Sequence, residues 1–191
     1  MALIDQHLRL CKPVRPGNSI LQSVGIDPKS WPDLMEYQGL IAAPMFDFHT
    51  GNITAVACTD GVNRVSYAGS ARARQCGFYV GSAIRLNHEF AELTGSERPL
   101  IFCTDLITSI LVNLITRLPV MFSTDVTAFK FSGATECYIR QPTSRSIENA
   151  LNACGDVDLW LPVGSIESTR HVKWMDAVQA AAMIEVNYDH A

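Results

Sequence analysis

Hydrophobic and polar positions follow three different rhythms along this chain. Over residues 1–38 the apolar positions are sparse. Leu3, Leu8 and Leu10 mark a short amphipathic turn that Pro13 and Pro16 end, and residues 18–24 form a second short helix with Asn18 or Ser19 as cap and Gly25 as stop. Pro28 and Pro32 bracket Trp31 in a loop or helix start. From Gly39 the period shortens. Residues 40–47, 53–58 and 64–68 read as strands, with turns at His49-Thr-Gly-Asn and Asp60-Gly61, and Gly77-Phe-Tyr-Val-Gly as a short fourth strand. This pattern predicts an antiparallel β meander.

Beyond residue 98 strands and helices alternate. Strands are expected at 99–103, 119–123, 136–140 and 157–161. Helices are expected at 105–118, 125–131, 144–154 and 170–186. In the first of these, Leu106, Ile107, Ile110, Leu111, Leu114, Ile115 and Leu118 recur at helical spacing on one face. Strand–helix–strand repetition with short crossovers implies a mainly parallel, three-layer α/β sheet. The expected fold class is therefore α/β: an N-terminal helical segment (1–38), an antiparallel meander with its connecting segment (39–98), and a parallel α/β domain (99–191), in one compact unit overall.

Composition narrows the function classes. The 191 residues include 48% hydrophobic ones, enough for a sizeable core, and a net charge of −4 (15 Lys+Arg against 19 Asp+Glu) argues against a dedicated basic nucleic-acid binder. The chain starts with an early Asp5 and no basic, then apolar, leader, which does not read as a secretory signal. Residues 100–122 are the most apolar stretch, but Asp105, Asn113, Arg117 and Pro119 interrupt it, so a buried strand and helix are expected rather than a membrane span. Cys11, Cys58, Cys76, Cys103, Cys137 and Cys154 are scattered and lack a Cys-x-x-Cys pair, which reads as reduced, buried thiols of a cytoplasmic protein and not as a zinc site.

Several phrases, in order, carry a resemblance. They are Gly39-Leu-Ile-Ala-Ala-Pro-Met-Phe-Asp, Gly51-Asn and Asp60-Gly-Val-Asn-Arg; Ala68-Gly69 and Gln75-Cys-Gly-Phe-Tyr-Val-Gly81; Leu100-Ile-Phe-Cys-Thr-Asp-Leu-Ile-Thr-Ser-Ile with Leu118-Pro-Val; then Gly155-Asp-Val-Asp-Leu-Trp-Leu-Pro and Lys173-Trp-Met-Asp. In this order the chain resembles, over about residues 39–180, the Toprim-containing region of primase and primase-helicase proteins carried by plasmids and phages. In Toprim enzymes a Glu-Gly pair after the first strand and an Asp-x-Asp pair after a later one hold Mg²⁺ for phosphoryl transfer or phosphodiester cleavage. Here those positions read Thr104-Asp105 and Gln141-Pro142-Thr143. The resemblance therefore implies a degenerate metal site. It implies a mobile-element protein that acts by binding a partner in DNA replication, conjugative transfer or defence, including as an inhibitor of a competitor.

Individual residues sharpen the alternatives. Asp105 reads as the cap of the helix that follows, ahead of metal binding; Asp125 likewise caps, and Asp176 is a solvated helix residue. A divergent Mg²⁺-dependent nuclease or primase-type nucleotidyl transferase would use Asp105, Asp125 and Asp176; otherwise no cofactor and no metal are expected. Arg64, Arg72 and Arg74 form the best candidate patch for phosphate contacts, with solvated loop charge as the plainer reading. Such a patch would make the chain a nucleic-acid-binding accessory module. Trp160 reads as core, whereas Trp31 and Trp174 are candidate partner anchors. The histidines are isolated: His88, beside Glu89 and Glu92, reads as part of an exposed helix face, and His171 as a surface residue near a helix start. Hydrolase-elbow, P-loop and dinucleotide glycine motifs are missing. A protein partner is expected, nucleic acid is a further candidate, and membrane insertion is not expected.

Overall fold

The computed structural model describes residues 8–30, 34–61, 65–69, 75–80, 99–163, 165–173 and 176. The chain divides into two compact units, Met1–Phe78 and Tyr79–Ala191.

In the first unit, α1 (Ser19–Ser23) begins where the sequence places it. The Asn18 side-chain oxygen accepts from the backbone N–H of Ile20 at 3.0 Å and of Leu21 at 3.2 Å, satisfying two donors the helix cannot satisfy itself. Gly25, at φ +70°, turns the chain out again. Five strands pair antiparallel in the order β1 (Lys12–Pro13), β2 (Met35–Tyr37), β3 (Leu40–Asp47), β4 (Ile53–Thr59), β5 (Val65–Gly69). β1 and β2 fall in the segment expected to be helical or irregular. Their two and three residues are too short to show an alternating pattern. Gln38 and Gly39, both at positive φ, make the two-residue turn between β2 and β3.

Every residue from Ile41 to Asp47 on β3 is buried, which is why that strand reads as a continuous apolar run rather than an alternation. β6 (Cys76–Val80) pairs at Gly77 and Cys76 with Phe46 and Asp47 of β3, so the expected meander is corrected: the fourth strand returns to β3 instead of extending from β5. Turn chemistry predicts hairpins between neighbours but not which edge a later strand joins.

As far as β10 the second unit alternates as its sequence predicts: β7 (Ile101–Cys103), α2 (Leu106–Thr116), β8 (Val120–Phe122), a 3₁₀ turn (Val126–Ala128) continuing into α3 (Phe129–Ser132), β9 (Glu136–Tyr138), α4 (Ser144–Cys154) and β10 (Asp158–Val163); β11 (Ser165–Val172) follows. The strand order is β8-β7-β9-β10-β11; the first four run parallel and β11 is antiparallel to β10. The molecule is thus mixed α/β with parallel and antiparallel pairing.

Two expectations need correction here. Residues 165–172 form a strand, so the final helix cannot begin at 170, and of its remaining length only Lys173 and Asp176 are described. On β11 the half-buried positions are Ile166, Thr169 and Val172, three apart, a spacing that imitates a helix in sequence. In α2 the buried set is Leu106, Ile107, Thr108, Ser109, Ile110 and Val112, while Ile115 is exposed. The first two turns are enclosed on most sides, which a single apolar stripe does not convey. Ser109 Oγ is satisfied there by the Asp105 carbonyl at 2.6 Å.

Candidate binding site at the carboxyl edge of the parallel sheet

The chain enters the parallel sheet at β7, steps to β8 on one side, returns to β9 on the other side of β7, and moves outward to β10. The connections leaving β7 and β9 therefore lead to strands on opposite sides, and strand order switches between these two neighbours. Open α/β sheets place their ligands at such a switch in strand order. Thr104 and Asp105 follow β7, and Arg140, Gln141, Pro142 and Thr143 follow β9. The two stretches that the resemblance picked out therefore follow adjacent parallel strands at the same edge.

Asp105 adopts extended backbone just ahead of α2, and its Oδ1 accepts from the Thr108 backbone N–H at 2.6 Å. Its other oxygen, Oδ2, lies 3.3 Å from Nη1 of Arg140. The Asp105 side chain is 18% exposed and that of Arg140 50% exposed, so the pair sits at the water boundary. Across from it, Thr143 caps α4. Its Oγ1 accepts from the Ser146 N–H at 3.1 Å, and the Ser146 hydroxyl accepts in return from the Thr143 N–H at 2.8 Å. Thr104, Arg140, Gln141 and Thr143 are exposed and Pro142 is buried. This edge therefore presents exposed hydroxyl, amide and guanidinium groups in the segments that lead into α2 and α4.

Asp125 takes the capping part expected of it. Its Oδ1 accepts from the Thr127 N–H at 2.8 Å and from the Thr127 hydroxyl at 2.7 Å, closing the turn after β8. Asp176 is exposed, and its backbone N–H donates to the Lys173 carbonyl at 2.9 Å. The described residues do not gather Asp105, Asp125 and Asp176 into a group able to hold a metal. Arg64, Arg72, Arg74, Trp31, Trp174 and His88 lie outside the described residues. Trp160, read as core, is half-buried on β10.

Arg140 is the site residue that sequence reasoning missed. Its signal is relational: an Arg two residues beyond β9 matters because β9 pairs with β7, and an Asp stands at the matching place there. Among the described residues no helix is long and apolar enough to cross a membrane. No protein-family model matches the chain, and no curated protein matches it significantly.

Proposed function

We propose that the chain is a Toprim-like protein of a mobile element whose metal-binding positions have been given over to holding the fold. It acts by binding a protein of the replication, conjugation or defence machinery and inhibits a competitor's use of it. The carrying observation is the Asp105 carboxylate, committed on one side to the α2 backbone and on the other to Arg140. A carboxylate used this way offers little charge to a cation, and the later motif position is a hydroxyl helix cap in place of paired carboxylates. A Toprim-like layout is supported by the altered stretches following two adjacent parallel strands. Successive crossovers leave β7 and β9 in opposite directions, and right-handed connections of this kind put α2 and α4 on opposite faces of a three-layer domain.

The exposed Thr104, Arg140, Gln141 and Thr143 then form the docking edge. The test is plasmid transfer from donor cells expressing the chain, beside donors expressing Arg140→Glu. Transfer should fall with the unaltered chain and recover with the charge reversal at equal protein level. Unchanged transfer and replication of every mobile element tried would overturn the reading.

A further inference from the structure

At the opposite end of β9 and β10, register brings together three side chains that are far apart in sequence. Glu136 pairs directly with Asp158, and Tyr138 with Trp160 across the same two strands. Trp160 in turn pairs with His171 on β11. Since alternate residues of a strand share a face, Glu136, Asp158, Trp160 and His171 all lie on one side of the sheet. His171 Nε2 is 3.4 Å from Glu136 Oε1 and 3.5 Å from Asp158 Oδ2, and the three donor atoms lie within 4.8 Å of one another.

The geometry points to a divalent-cation site made by Glu136, Asp158 and His171, suited to a borderline transition ion of the Zn²⁺ class. Donors bound at about 2.0–2.2 Å in a tetrahedron stand about 3.3–3.6 Å apart, the separation of the imidazole nitrogen from each carboxylate oxygen. One imidazole Nε2 carries at most one proton and can donate to one of the two oxygens. A cation on the same spot satisfies both.

The surroundings match what tuned metal sites show. Trp160 Nε1 donates to the remaining Glu136 oxygen, Oε2, and fixes the carboxylate with Oε1 turned toward His171. The Trp160 and His171 rings pack with centroids 5.1 Å apart, restricting the imidazole. Side-chain exposures of 14% for Glu136, 32% for Asp158 and 38% for His171 leave an approach from water and a fourth position open. An imidazole with two carboxylates favours Zn²⁺ or Mn²⁺ over Mg²⁺, which prefers oxygen alone. This site lies away from the carboxyl edge, with Glu136 and Asp158 at the first positions of β9 and β10, and does not depend on the partner-binding reading.

The test is Co²⁺ titration of the full chain followed by visible absorption, with Zn²⁺ competition and equilibrium dialysis for stoichiometry. One Co²⁺ per chain is expected, with ligand-field bands, no thiolate charge-transfer band, displacement by Zn²⁺ and none by excess Mg²⁺. His171→Gln and Glu136→Gln should abolish binding while circular dichroism is unchanged, and Trp160→Phe should weaken it about tenfold as an orienting residue. Absence of binding at millimolar ion, a thiolate band, displacement by Mg²⁺, or binding that survives His171→Gln and Glu136→Gln would each overturn the proposal. Should either glutamine variant unfold, Trp160→Phe, which removes no ligand, decides: unaltered affinity would count against the site.

Discussion

Asp105 holds the first turn of α2 with one oxygen and faces Arg140 with the other, and Glu36 shows the same economy in the first unit. Glu36 is buried on β2, yet Arg15 reaches it with two nitrogens, Nε at 3.3 Å, and Asn18 Nδ2 donates to it at 3.1 Å. Asn18 thereby ties the α1 cap to the sheet. The Arg15 hydrogen bond first, and then that of Asn18, hold the Glu36 carboxyl below its ordinary value of 4.5. A lowered folded-state value means that the charged form stabilises the fold. Its contribution is complete above the ordinary value and fades as pH falls through the folded-state one. Because the Arg15 side chain is 76% exposed, Glu36→Gln should cost about 1 kcal/mol at neutral pH. Denaturant melts of the two proteins should converge as the solution is acidified below 4.5. A gap that is constant with pH would contradict this account of Glu36.

At the scale of elements, caps and turns were legible and edges were not. Asn18, Gly25, Asp105, Asp125 and the 144–154 helix stand where residue chemistry put them, since a cap is decided within four residues of chain. β11 was hidden because an exposed edge strand need not alternate. The return of β6 to β3 was hidden because strand pairing depends on the whole sheet. Burial inside a strand carries its own prediction. The β3–β4 register slips between Met45 and Phe46, whose partners are Ala55 and Ile53, leaving Thr54 as the bulged residue. The Thr54 hydroxyl oxygen is buried and makes no hydrogen bond among the described residues. Thr54→Val keeps the branched shape and removes the unsatisfied group, so it should stabilise the protein by about 1 kcal/mol in chemical denaturation. Destabilisation would show that the hydroxyl has a hydrogen-bond partner in the folded protein.

For the whole molecule, the mixed α/β class was readable from the change of rhythm at Gly39 and again after residue 98, whereas the N-terminal strands were not and the sites were readable only in part. Thr104, Asp105, Gln141 and Thr143 could be singled out because the resemblance sets its motif positions just after those strands. Arg140 and the Glu136, Asp158 and His171 group could not, because their meaning lies in β7-β9-β10-β11 adjacency, which no local pattern encodes. The reading of the molecule turns on Asp105 as a structural carboxylate rather than a catalytic one. Asparagine caps helices about as well as aspartate, so Asp105→Asn keeps the α2 start and removes only the charge facing Arg140. The direct measurement is Mg²⁺-dependent nuclease and primer-synthesis activity of the unaltered chain and Asp105→Asn, with unfolding curves on the same samples. The account predicts no turnover above the protein-free background in either protein and stabilities within about 1 kcal/mol of each other. Mg²⁺-dependent turnover by the unaltered chain that disappears in a fully folded Asp105→Asn would contradict it.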